Sequence, residues 1–219
     1  MDSRIESVLN FVENGERVAD IGADHGYLSI ELAKKSLATK IIATEKNIEP
    51  FGTLRKNVLD SGFENLIEVR LGDGLQVLAA GEVDTICIAG MGGALIKKIL
   101  DDSPEIVKSA QKIIIQPMNA AKKIREWCAE NNFIIEDEDL AESAGIIYEI
   151  ICAVKFGEPK KFFKKDLSPL NRKFSMQRLE KLQKVLLEMS KSEKARSSEK
   201  FFTLRAEIDN LRKKTVCVN

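Results

Sequence analysis

Apolar residues along this chain follow two rhythms. Ile5, Val8, Leu9 and Val12 keep an i, i+3, i+4, i+7 spacing, which predicts an amphipathic helix ending at Asn14-Gly15. Beyond it, short apolar runs alternate with helical stretches. Strands are expected at Arg17–Ile21, Lys40–Thr44, Leu66–Leu71, Asp84–Ile88 and Ile113–Gln116. Helices are expected at Tyr27–Lys35, Pro50–Ser61 (stopped by Gly62), about Ala94–Leu100 and Ala121–Glu130. Phe133–Leu140 and Ile146–Val154, joined by Glu142-Ser143-Ala144-Gly145, read as a hairpin.

Repeated β-α units imply an α/β fold, a parallel sheet with helices on both faces. Five such units followed by a hairpin suggest a seven-stranded sheet of the Rossmann-like class I methyltransferase type rather than a two-fold dinucleotide fold. In such sheets ligands lie beyond the carboxyl ends of the strands, so the loops there are the ones to inspect. The last third of the chain has a different pattern. Leu170, Phe174, Leu182, Leu186 and Met189 fall mostly on one helical face, and Phe201, Leu204, Ile208 and Leu211 are spaced 3, 4, 3 as an a/d seam. With the polar stretch Ser190–Ser198 as a turn, a C-terminal α-helical coiled-coil hairpin is expected.

Charge divides the chain in the same place. The 219 residues carry 34 Lys and Arg against 34 Asp and Glu. From Lys155 onward there are 18 basic and 8 acidic residues, a net of +10, which leaves −10 on Met1–Val154. The expected domains are therefore 1–157, catalytic and acidic, and 158–219, helical and basic. A basic tail suits a polyanion, although a lysine-rich solvated helix pair would show the same charge. The first residues lack a cationic start and an apolar core, and no run approaches the ~20 apolar residues of a membrane span. Cys87, Cys128, Cys152 and Cys217 are scattered without C-x-x-C pairing, so reduced thiols, no metal site and a cytoplasmic location are expected.

Four strand-end loops carry candidate chemistry. In Asp20-Ile21-Gly22-Ala23-Asp24-His25-Gly26-Tyr27, a glycine directly after a strand allows a tight turn against a ligand. The G-x-G-x-x-G fingerprint is absent because Asp24 stands two after Gly22, and Asp20 and Asp24 would repel a pyrophosphate. S-adenosylmethionine, with a cationic amino group and sulfonium, suits the loop better. Glu45, after the second strand, can accept from ribose hydroxyls, a device NAD enzymes share, or can cap the next helix. Asp73, in Gly72-Asp73-Gly74, can accept from an exocyclic adenine amine or sit in a plain turn.

The fourth loop, Ala89-Gly90-Met91-Gly92-Gly93, allows close backbone approach under a reactive methyl group. It lacks the N/D-P-P-aromatic string common in enzymes that methylate exocyclic amines, which favours a ring nitrogen as target. His25 is the only histidine, so a His₂ or His₃ metal centre and an H-x-E zinc deaminase are excluded. Trp127 reads as a core anchor rather than a stacking platform.

These loops in this order, with Gln116-Pro117-Met118-Asn119 after the fifth strand and Ile147-Tyr148-Glu149-Ile150-Ile151 in the last, resemble the bacterial tRNA (adenine-22-N1)-methyltransferase family. The likeness runs from about Arg4 to Val154 and rests most on Asp20–Leu28, Pro50-Phe51, Val69–Gly74 and Ile88–Gly93. It implies S-adenosyl-L-methionine as methyl donor, tRNA as partner and N1 of an adenine as target. It also implies cofactor contacts at Asp20, Gly22, Glu45, Asp73 and Gly90, with Ala23, Gly26, Lys46, Gly72, Gly74 and Ala89 beside them. His25, Tyr27 and Met91 fall to the adenine pocket. The chemistry of a ring nitrogen that gains positive charge adds Asp24 as the candidate acceptor for the base amine and Tyr27 as the group to stack on an unpaired adenine. Three residues depart from the family pattern: Ser29 where proline is expected, Ala23 where serine is usual, and Ile146 where lysine is common. A monomer is expected. Competing readings are a methyltransferase acting on another RNA or a small molecule, an NAD-dependent oxidoreductase, and a non-catalytic RNA-binding protein.

Overall fold

The computed structural model describes residues 2–155 and 169–216, with side chains in the last helix described as far as Arg212. The chain forms two compact units, one within Met1–Lys164 and one within Lys165–Asn219. The expected boundary at 157/158 falls outside the described residues.

The first unit runs α1 (Ser3–Leu9), β1 (Glu16–Ile21), α2 (Tyr27–Lys34), β2 (Ala38–Glu45), α3 (Ile48–Ser61), β3 (Ile67–Leu71), β4 (Thr85–Met91), α4 (Gly93–Asp101), α5 (Pro104–Ser109), β5 (Lys112–Pro117), α6 (Ala121–Glu130), β6 (Ile134–Ser143) and β7 (Ile146–Val154). The seven strands make one sheet in the order β3-β2-β1-β4-β5-β7-β6. β1 to β5 are parallel, and β7 joins antiparallel to β5 and to β6. This is the seven-stranded Rossmann-like arrangement expected from the pattern.

The central strands are apolar throughout because both their faces are covered. Ile86 and Ile88 of β4 pack into one core with Ile96, Ile99 and Leu100 of α4 and Ile124 and Trp127 of α6. Cys87, between them, points the other way, into a second core with Val8 and Leu9 of α1, Leu28 and Leu32 of α2, and Leu54 and Val58 of α3. Trp127 is fully buried and donates its indole N–H to Asp101 at 2.7 Å, the core anchor the sequence suggests. Gly62 ends α3 in the left-handed region at φ 74°. Ala144 and Gly145, at φ 49° and 77°, close the β6–β7 hairpin as a two-residue turn.

Several boundaries differ from expectation. α1 stops at Leu9 rather than at Asn14, yet Val12 stays buried as part of the following turn. β4 continues through Ala89, Gly90 and Met91, which were expected in the loop, because β5 pairs with it up to Met91. Likewise Glu45 is the last residue of β2, held in register by Leu71 of β3. α5 and a 3₁₀ turn at Gly74–Val77 were not expected; both are too short to show a periodicity of their own.

The second unit contains α7 (Pro169–Ser190), α8 (Glu193–Arg196) and α9 (Glu199–Val216). The stretch expected as a bare turn therefore holds a one-turn helix, capped by the Ser192 hydroxyl on the Ala195 amide. Leu204 and Ile208 are buried positions of α9, and Arg178 of α7 pairs with Glu207 of α9 at 2.5 Å. No helix among the described residues is long and apolar enough to cross a membrane.

Candidate active site

β1 is flanked by β2 on one side and β4 on the other, so the strand order reverses there and the loops leaving their carboxyl ends diverge around a crevice. Backbone bonds tie these loops together. The Gly22 amide lies 3.4 Å from Thr44 Oγ1, and the Ala23 amide donates to the Thr44 carbonyl at 2.9 Å. The Gly72 amide donates to the Glu45 carbonyl at 2.9 Å, joining β2 to the turn after β3. On the other side the Gly90 amide donates to Gln116 Oε1 at 3.0 Å, and the Gly93 amide to Asn119 Oδ1 at 3.2 Å. Gln116, fully buried, and Asn119 belong to the Gln116–Asn119 string but were not singled out as site residues. A buried amide side chain at a strand end was the available signal.

Three acidic side chains stand at the ends of three successive strands. Asp20, in β1, is buried and accepts from the Ser29 hydroxyl at 2.7 Å. Burial raises its carboxyl to about 6, against the lowering effect of its bonds to Ser29. Glu45, also buried, takes bonds from the Lys46 and Asn47 amides at 2.9 Å each on a single oxygen, Oε1. This fixes the carboxylate while Oε2 keeps its accepting capacity. Asp73, half-exposed, pairs through Oδ2 with Lys46 Nζ at 2.6 Å across the two strand ends.

The glycines leave room beside the acids. Gly22, at φ 69°, faces Met91, whose Cε lies where a Cβ on Gly22 would stand. Gly90, at φ 76°, has no atom within 4 Å of the place a side chain would take, so a ligand can lie directly on its backbone. Gly26 is the left-handed N-cap of α2. Beside it Asp24, at φ 51°, lies 3.6 Å from His25 Nε2, and the His25 and Tyr27 rings are 5.6 Å apart and tilted. Tyr27 is 61% exposed, so its ring face is open to a planar group. The Asn57 side chain of α3 holds the His25 carbonyl at 3.0 Å.

The donor set fits an adenosyl cofactor that is cationic at its other end: carboxylates for an amino group, ribose hydroxyls and a ring amine, with bare backbone between them. Among the described residues no cluster of three or more His, Cys, Asp or Glu could hold a metal.

A family model described as a methyltransferase domain matches residues 1–151. The tRNA (adenine(22)-N(1))-methyltransferase of Bacillus subtilis is 39% identical over 153 residues, which cover 70% of this chain and 64% of that protein. The crystal structure of the B. subtilis m1A22 tRNA methyltransferase TrmK shares the fold with a TM-score of 0.85 and 30% identity, over 98% of both chains. This chain belongs to the tRNA (adenine(22)-N(1))-methyltransferase family. A Streptococcus pneumoniae structure solved in complex with S-adenosyl-L-methionine has a TM-score of 0.84 and 31% identity, covering 98% of this chain and all of that one.

The three residues expected to depart from the family pattern, Ala23, Ile146 and Ser29, have the following surroundings. Ala23 is a loop residue bound to β2 through its backbone, so a serine hydroxyl is not needed to hold it. Ile146 is 49% exposed at the start of β7. Two residues on, the Arg4 guanidinium lies 5.0 Å over the Tyr148 ring, with Nη1 3.9 Å from Met118 Sδ. A cation thus stands beside the Gln116–Asn119 turn, supplied by α1 and paired with Asp2 at 2.6 Å. Ser29 is fully buried against Asp20.

Proposed function

We propose that this chain is an S-adenosylmethionine-dependent tRNA methyltransferase that modifies N1 of adenine 22. The observation that carries the reading is the set of four strand-end loops stitched around the β1 switch point, in a chain of this family. S-adenosylmethionine supplies a methyl group made electrophilic by the attached sulfonium. Asp20, Gly22, Glu45, Asp73 and Gly90 are the proposed cofactor contacts, with Ala23, Gly26, Lys46, Gly72, Gly74 and Ala89 around them. Glu45 would take the ribose hydroxyls on Oε2, and Asp73 the adenine amine.

On the substrate side the protein has little proton chemistry to do. Neutral adenine N1 carries its lone pair in the ring plane, so no side chain has to remove a proton first. What the site must supply is orientation, which is worth several kcal/mol when the reacting atoms are held at near-attack distance. N1 normally lies in a base pair, so the adenine enters unpaired or flipped out. Tyr27, with His25 beside it, is proposed to stack on the base, Met91 to wall the pocket, and Asp24 to accept from the base amine as the ring gains positive charge.

The proposed division of labour puts the catalytic domain at 1–157 and a basic helical domain at 158–219, the latter holding the tRNA phosphates. The protein is proposed to act as a monomer in the cytoplasm. Incubating tRNA with S-adenosylmethionine and the full-length protein, then resolving the nucleosides by mass spectrometry, tests the reading. 1-Methyladenosine at position 22 is the expected product; methyl transfer to another base, or none, overturns it.

A further inference from the structure

Asp20 and Ser29 form a pair whose energetics do not fit a purely structural role. Ser29 is fully buried in the first turn of α2, and its Oγ donates to Asp20 Oδ2 at 2.7 Å. Its backbone amide also bonds the carboxylate. Asp20 sits within β1 between Ala43 of β2 and Cys87 of β4, with 4% of its surface exposed. No basic side chain pairs with it among the described residues. A buried carboxylate without a cation costs stability whenever it is ionised, and an apolar residue of similar size would remove that cost. The charge is nevertheless placed two residues before Gly22, beside the turn where a cationic amino group is expected to bind.

We propose that Ser29 is a positioning residue for the cofactor: its hydroxyl holds the Asp20 carboxylate in one rotamer and in its ionised form, ready for the cofactor's amino group. The inference rests on the cofactor placement proposed above. The hydroxyl and the α2 start, whose dipole favours an anion, are the two forces that oppose desolvation at this carboxyl. Among the described residues the Cys87 thiol also lies against Asp20; burial pushes it well above its usual range and keeps it neutral. Asp24 and His25 lie in the adjoining loop and are separated from Asp20 by the controls below.

The test is calorimetry of S-adenosylhomocysteine on the full-length protein between pH 5 and 8, with thermal melting of every variant. In the wild type, affinity should fall as the pH drops below about 6, where Asp20 gains its proton. Ser29→Ala should weaken binding several-fold at pH 7 and move the bend in the pH profile upward, and Ser29→Thr should restore both. Asp20→Asn should remove the bend, and Ser29→Ala should then have no further effect in that background. A bend that persists undiminished in Asp20→Asn shows that another group sets the pH profile and overturns the inference. If Ser29→Ala does not fold, Ser29→Cys, which keeps the volume and weakens the donor, is read by the same criteria. A loss in Ser29→Ala that is uniform across pH, or equal in the Asp20→Asn background, marks a packing role and overturns the inference alone. Wild-type affinity in Asp20→Asn at pH 7 overturns it together with the assignment of Asp20 to the cofactor.

Discussion

The methyl carbon of Met91 occupies the space a side chain on Gly22 would need: a Cβ built on Gly22 stands 2.1 Å from Met91 Cε. Gly22 follows β1 directly and Met91 ends the neighbouring β4, so their packing brings the first and fourth loops together over the switch point. Gly22→Ala should cost about 1–2 kcal/mol of stability for the left-handed backbone and displace Met91 from the pocket wall. Thermal melting and S-adenosylhomocysteine calorimetry should show both losses. Undiminished affinity would place the cofactor away from this loop.

Glu45 and Asp73 should separate binding from folding. Glu45→Ala removes the acceptor of the Lys46 and Asn47 amides as well as the proposed ribose acceptor, so the melting temperature and the affinity should fall together. Lys46 and Asn47 are exposed, so water can replace the lost acceptor and each bond removed costs roughly 0.5–1.5 kcal/mol. Asp73 is half-exposed and bonded to Lys46, so Asp73→Ala should lower affinity with little change in melting. Full affinity in both variants would show that the adenosyl group lies elsewhere.

Tyr27→Ala should slow methylation of tRNA while cofactor affinity stays within about threefold. Loss of a stacking platform costs on the order of 1–3 kcal/mol. Single-turnover rates compared with S-adenosylhomocysteine binding check this. A parallel drop in cofactor affinity would assign the ring to the other pocket.

Asp20→Asn should stabilise the cofactor-free protein at neutral pH. Between its ordinary value of 3.8 and about 6, the unfolded carboxyl is ionised while the folded one is still protonated, so stability falls as pH rises through that window. Above it the full penalty is present, roughly 3 kcal/mol for about two pKa units. The gain on removing the charge should therefore appear at pH 7 and vanish near pH 4 in denaturant melts. An equal effect at both pH values would refute the linkage.

Of the tail cations near the proposed boundary, Lys160, Lys161, Lys164 and Lys165 lie outside the described residues, whereas Arg172 and Lys173 stand exposed near the start of α7. Replacing both with alanine should weaken tRNA binding and reduce the log–log salt slope by about 0.9 for each phosphate no longer neutralised, by analogy with duplex DNA. Cofactor affinity should not change. An unaltered salt slope would assign phosphate binding to other cations.

Much of the fold was legible because buried strands announce themselves. Ile113, Ile114 and Ile115 are apolar on both faces, and α6 starts and ends where its pattern predicts. Glycine punctuation located the turns, as Gly62 and Gly145 illustrate. β2 and β4 run past the ends their patterns predict, because Glu45, Gly90 and Met91 look like loop residues until their neighbouring strands extend them. Short elements such as α5 carry no period of their own.

Taken by itself, the sequence determined the class of sheet, the two-part charge distribution and the acids at successive strand ends, since each is written in residues close together along the chain. It could not determine which distant side chains meet. Ser29 with Asp20, Lys46 with Asp73, Gln116 with Gly90 and Met91 with Gly22 are pairs 9, 27, 26 and 69 residues apart, made only when strand order and parallel register are in place. Periodicity reports which face of an element is buried. What that face is buried against, and whether a carboxylate there finds a partner, is decided by the packing of elements that local sequence does not name.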